Sequence, residues 1–513
     1  MKRASGINKV ILGERIDIAQ FMAVCRCGAE VEFSPEYCER VNKARRLVEQ
    51  WVDEERVMYG VTTGFGALCT KAIDKNETAR LQENIIKSHS TSVGQPFEIE
   101  EARAVMLMIL QNLGQGYSGV RLEILEMYRQ FLNRGVTPWA PKEGSVGYLS
   151  PEAHMARTIS GLGKAYYGGQ LMDSSEALAK AGLQPLELSY KEGLALVSGT
   201  TSATAMAAIS LYDVMNSALA ADVIAALTLE SSKGIIKAFD ERVMKVRPHS
   251  YQAKTAANVR NILADSEVIE YYKDSRVQDA LSLRCVPQLH GAAKKTIYDA
   301  LETVETEMNS CCDNPIIWHD GDEAEVISAC NPDSAYVGIE MDSVAIAATN
   351  LAKMSERRNN RMIDESLGGY PMFLISNPGL NSGLMIPQYT QAGLLNDMRI
   401  LSGSATIDNT PTCGNQEDYV AMGYNASKKA LTISRNLEYI LAIELLSAYE
   451  TQGFIKDECK RGSTTMKIFD EIAETVPLMQ EDVFLHEYIE YLRDFIHSGR
   501  LVEIAESCIG DMQ

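Results

Sequence analysis

Apolar residues recur at helical spacing through most of this chain. Residues 100–133 carry that period, with an interruption at Gly114-Gln115-Gly116-Tyr117-Ser118-Gly119. Residues 200–231 are alanine-rich, which suits close helix packing. Residues 277–309 read as a helix kinked at Pro287. Helices over 338–364 and 423–452 complete a set of long elements. Several exceed the usual ~8–20 residues, which predicts a bundle that continues across subunits. The first 200 residues hold more glycine, proline and short elements. They are expected to form a mixed region carrying loops, with residues 201–513 as the long-helix bundle and C-terminal helices. Glycine- and asparagine-rich loops separate the helices at 59–66, 144–151, 331–334, 377–383 and 408–418.

The most apolar long segment, residues 200–229, is broken by Asp213, Asn216 and Asp222. A membrane span needs ~18 or more uninterrupted apolar residues, so a core helix is expected and no membrane partner. The 513 residues, 46% hydrophobic, are ample for a large core, and the net charge of −20 argues against a nucleic-acid surface. Eleven cysteines without a Cys-x-x-Cys pair predict reduced thiols in a cytoplasmic protein. Met1-Lys2-Arg3-Ala4-Ser5-Gly6 is followed by no apolar run, so no signal peptide is expected. The seven histidines are scattered, and no zinc motif, phosphate loop, dinucleotide fingerprint or Gly-x-Ser-x-Gly elbow occurs.

Four segments remain as candidate chemistry. They are Tyr59-Gly60-Val61-Thr62-Thr63-Gly64-Phe65-Gly66; Ser88-His89 with residues 114–121; Gln278-Asp279 with Ser282-Leu283-Arg284-Cys285; and Asn415-Gln416-Glu417-Asp418. With Glu307-Met308-Asn309-Ser310, Asp313-Asn314-Pro315, Ser355-Glu356-Arg357-Arg358 and Asn381-Ser382-Gly383 in the same order, the chain resembles the histidine and aromatic amino-acid ammonia-lyases. The resemblance implies a mainly α, fumarase/aspartase-like long-helix fold, a homotetramer, and active sites built from more than one subunit. It also implies roles: Arg284 on the substrate carboxylate, Tyr59 as base for the β-proton, and His89 and Glu417 facing an imidazole ring, with Gln416 nearby.

One family feature is missing. An Ala-Ser-Gly triad that cyclises into a methylidene-imidazolone normally follows Gly-Ser-Val-Gly. Here Gly144-Ser145-Val146-Gly147 runs directly into Tyr148-Leu149-Ser150-Pro151-Glu152-Ala153-His154. The supporting asparagine of the family is Ser198, and Leu281 replaces a family tyrosine ahead of Arg284. No cofactor and no metal are therefore expected. That electrophile works by accepting a lone pair from the substrate amine, and a quaternary ammonium has none. The expected substrate is accordingly a histidine-derived betaine, with trimethylamine as leaving group. An ergothionase-like conversion of ergothioneine to thiourocanate fits best, with Tyr148 holding the cation by cation–π attraction and Asp333 adding a counter-charge. Elimination from hercynine and a catalytically silent binding protein are the alternatives.

Overall fold

A computed structural model describes residues 2–71, 73–74, 77–320, 323–455 and 459–512. Its centre is a bundle of long helices: α1 (Thr201–Ser231), α2 (Val286–Met308), α3 (Ala335–Ile363), α4 (Met385–Leu401) and α5 (Gly423–Glu450). Every residue of α1 is buried. A helix without a polar face must be surrounded, and α1 packs against α2, α3 and α5 together with the Ile99–Gly114 helix. The stretch Glu192–Ser231 is long and apolar enough to cross a membrane, but it is wholly enclosed by its own chain.

The three polar interruptions in α1 are each satisfied. Asp213 accepts from both guanidinium nitrogens of Arg26 at 2.6 and 3.0 Å. Asn216 donates to the Ile496 carbonyl at 2.6 Å. Asp222 accepts from His290 at 2.8 Å and from Lys294 and Asn258. Deeper in the bundle, Arg358 of α3 grips Glu444 of α5 with two bonds of 2.5 and 2.8 Å, and both side chains are fully buried. Such polar groups tie neighbouring helices to one register because leaving any of them unmatched in the core is costly.

The expected helix over 277–309 is corrected. Pro287 lies in the first turn of α2, where a missing N–H costs nothing, so it starts the helix instead of kinking it. Residues 277–280 are non-helical, and Leu281–Arg284 form a separate single turn. The break at 114–119 separates helices Ile99–Gly114 and Leu122–Arg134 as the pattern indicates.

Short strands lie mainly before residue 175. Lys9–Leu12 pairs in parallel with Glu30–Phe33, Val93–Pro96 pairs with Pro141–Glu143, and Thr137–Pro138, Lys164–Tyr167 and Gln170–Asp173 make a three-stranded sheet. A hairpin, Ile316–Asp320 with Glu323–Ile327, interrupts the later helical part. The loops between these pieces gather at one end of α1 and α3, and there they enclose a cavity.

Candidate active site

The cavity has a volume of about 490 Å³. Tyr59, His89, Tyr148, Ser198, Asp333 and Glu417 all line it, with apolar walls from Phe65, Leu149 and Leu194. Residues more than 350 positions apart in sequence therefore share one chamber.

Tyr59 begins the glycine-rich loop. Gly60 follows at φ +64°, and a Cβ there would stand 2.3 Å from Leu194, so only glycine lets the loop lie on the Glu192–Val197 helix. Buried Gln82 clips the two together, donating to the Gly60 carbonyl at 3.1 Å and accepting from the Leu194 N–H at 3.1 Å. The loop then turns back, and the Gly66 N–H donates to the Tyr59 phenol oxygen at 2.8 Å. Burial raises the Tyr59 pKa, and the nearby Glu417 and cysteines add to the rise. The bond from Gly66 opposes this without cancelling it.

His89 ends the Thr78–His89 helix. Its Nδ1 shares a hydrogen bond with Ser88 Oγ at 2.9 Å, and its ring packs on Phe65 with centroids 5.3 Å apart. Burial lowers its pKa, so the imidazole is neutral near pH 7. Glu417 lines the same chamber from the loop after the Cys413–Asn415 turn. The Glu417 Oε2 atom is buried and has no hydrogen-bond partner among the described residues.

Tyr148 sits on a tight turn. Leu149 adopts φ 81° and ψ −68°, the strained γ-turn conformation, and the Ser150 N–H closes it on the Tyr148 carbonyl at 3.2 Å. A leucine held there stores about 1–3 kcal/mol. The Leu149 N–H is anchored on the Val197 carbonyl at 3.0 Å, and Ser145 Oγ donates to the Tyr148 carbonyl at 3.2 Å. Burial, with Glu417, Cys330, Asp333 and Cys413 nearby, pushes the Tyr148 pKa to about 12. No Ala-Ser-Gly lies between Gly144 and His154, the segment where the family's triad is expected.

Ser198 accepts from the Asn314 N–H at 3.2 Å, joining the helix end to the Asp313-Asn314-Pro315 segment. Behind it, Lys191 and Asp313 form a fully buried ion pair at 2.6 Å. Asp333 Oδ1 accepts from the Ala335 N–H at 2.8 Å, so this carboxylate caps the start of α3 as well as facing the cavity.

Two expected residues lie elsewhere. Gln416 is exposed and lies outside the lining. Arg284 donates from Nε to the Asp279 carbonyl at 2.9 Å and lines a separate surface recess with Lys237, Arg276 and Asp279. No lysine or arginine lines the cavity among the described residues. Sequence reasoning missed Phe65, Asn314, Cys330, Cys413 and Tyr419 as lining residues. The first two lie inside quoted motifs, but the two cysteines and Tyr419 carry no pattern that distinguishes them from ordinary loop residues.

A family model for aromatic amino acid lyases matches residues 16–474. The chain belongs to the aromatic amino acid lyase family. It is 41% identical to histidine ammonia-lyase 1 of Fusobacterium nucleatum over 513 residues, covering 99% of each chain. Further relatives named histidine ammonia-lyase, from other bacteria, are 39–41% identical. Among solved structures, histidine ammonia-lyase from Trypanosoma cruzi superposes with a TM-score of 0.91 at 31% identity, covering 98% of this chain and 96% of that one. The ergothionase of Treponema denticola superposes with a TM-score of 0.88 at 29% identity, covering 96% and 99%. The fold is thus the mainly α ammonia-lyase fold, and the chain is a carbon–nitrogen lyase.

These likenesses overturn one expectation. Trimethylamine release from ergothioneine or a related betaine was inferred from a deletion, whereas relatives at about 40% identity over nearly the whole chain are histidine ammonia-lyases. The physical reason is that the imidazole contacts expected of His89 and Glu417 carry no information about how many methyl groups the substrate amine bears.

Proposed function

We propose that this lyase deaminates histidine, or a close imidazole-bearing α-amino acid, to the corresponding unsaturated acid. The observation that carries this reading is the unpartnered Glu417 Oε2 in one chamber with His89 and Tyr59. A buried carboxylate oxygen lacking a donor is costly, and an imidazole N–H of the substrate supplies one. The neutral ring of His89 pairs with the other side of the same substrate. Phe65, Leu149 and Leu194 exclude water around it.

The amino acid's own carboxylate needs a cation, and the lining offers Asp333 and Glu417 but no lysine or arginine among the described residues. We propose that Arg284 of a second copy completes the site in a homotetramer. Two features support this. In the recess around Arg284, Lys237, Lys273 and Arg276 are ion-paired with neighbouring carboxylates, whereas Arg284 donates to a backbone carbonyl and keeps its charge for the acidic cavity. Apolar side chains also stand exposed on one face of each of two core helices: Tyr336, Ile339 and Ile346 on α3, and Ile386, Tyr389 and Ile400 on α4. A neighbouring guanidinium also draws the Tyr59 pKa back down, making its phenolate a competent base.

The test is to incubate the purified protein with histidine and follow release of ammonia and of the conjugated acid. Absence of turnover, with no histidine binding by calorimetry, would overturn the substrate assignment. For the shared site, co-expressing a Tyr59→Phe chain with an Arg284→Ala chain is expected to restore part of the activity that each variant lacks alone. A mixture as inactive as its components places Arg284 outside the site.

A further inference from the structure

The cavity wall at Tyr148 differs from what a cyclised electrophile requires. Forming the methylidene needs a β-hydroxyl that leaves as water, and neither Tyr148 nor Leu149 has one. Ser150 is followed by Pro151, which has no N–H to close the ring. Ser145 is buried, and its hydroxyl is engaged twice, accepting from the Gly147 N–H at 3.2 Å and donating to the Tyr148 carbonyl at 3.2 Å. It locks the turn that presents Tyr148 and is not among the residues lining the cavity.

We propose that Tyr148 is a catalytic residue occupying the leaving-nitrogen side of the cavity, and that the substrate's ammonium group, not captured by an electrophile, departs beside it as ammonia. This rests on the amino-acid lyase reading above. The substrate's ammonium lies against the Tyr148 ring, with the carboxylate of Asp333 as counter-charge. The Cα–N bond breaks and its electron pair stays on nitrogen, giving ammonia. The Cβ–H bond breaks, its pair forms the Cα=Cβ bond, and the proton passes to the Tyr59 phenolate oxygen. That proton then goes to solvent, so the sum is one unsaturated acid, one ammonia and one proton. With its pKa near 12, the Tyr148 phenol stays neutral through this sequence and its ring keeps a negative face toward the cation.

Intact-mass measurement of the purified enzyme decides the first half without any substrate. The expected mass is that of the encoded chain, and a chain lighter by two water molecules overturns the proposal. For the second half, Tyr148→Leu is expected to raise KM for the amino acid about tenfold and to lower kcat, while Tyr148→Phe keeps the ring and holds KM within about twofold. Equal KM and kcat in wild type, Leu and Phe variants would remove Tyr148 from the reaction. Should wild type turn over no histidine, the substrate reading fails while the mass result still stands or falls by itself.

Discussion

At the residue scale the site is a set of neutral rings around a carboxylate, Glu417, with one unpartnered oxygen. Tyr59 is the proposed acceptor of the β-proton, and the bond from the Gly66 N–H fixes its phenol oxygen. Tyr59→Phe is expected to lower kcat by about 10²–10⁴ while leaving the thermal midpoint within a degree or so, as measured by steady-state kinetics and circular dichroism. Glu417 is the proposed specificity determinant. Glu417→Gln is expected to lose about 1.5–3 kcal/mol of transition-state binding for histidine, seen as a kcat/KM lower by about 10–150-fold. The same change leaves any weak turnover of phenylalanine nearly constant, and equal losses on both substrates contradict the assignment. His89 and Glu417 were legible in the sequence because each stands in a motif. Cys330 and Cys413 were not, because nothing in a lone cysteine tells which way its loop will face.

At the scale of elements, polar pairs fix how the long helices meet. Arg358 of α3 and Glu444 of α5 are both fully buried, and Thr228 of α1 donates to the same carboxylate at 2.8 Å. Glu444→Ala leaves the Arg358 charge in the core and is expected to cost about 3–5 kcal/mol, lowering the thermal midpoint sharply. Replacing both partners with leucine and methionine is expected to recover most of that loss, since it removes the uncompensated charge. The helices themselves were readable from periodicity. Their ends were less so, as Pro287 illustrates: a proline within an apolar run reads as a kink, and only the neighbouring chain path shows that the helix begins there. The turn at Leu149 was unreadable, because leucine carries no preference for positive φ and its conformation is imposed by the Val197 carbonyl and the Ser150 bond.

At the scale of the whole molecule, the first and last parts of the chain meet around a titrating cluster. His497 hydrogen-bonds to Glu438 at 2.8 Å, beside Asp213, Arg26, Glu100 and Arg493. Burial alone lowers the His497 pKa, but Glu438 and Asp213 outweigh it and the net shift is upward. A raised histidine pKa adds stability that is complete below the unfolded value of about 6.5 and is lost as pH rises through the folded value. The thermal midpoint should therefore fall as pH rises above about 6.5, and His497→Gln should flatten that slope. An unchanged slope would assign it to other groups. By itself the sequence determined the helical class, the family and six of the residues that meet in the cavity, because periodic burial and ordered motifs are written along the chain. Only the tertiary structure decided that Tyr148 is presented on a strained turn, that Asp333 also caps a helix, and that Arg284 lies outside the cavity of its own chain. Those facts depend on which surfaces face each other, and a linear motif records a residue's neighbours in sequence but not in space.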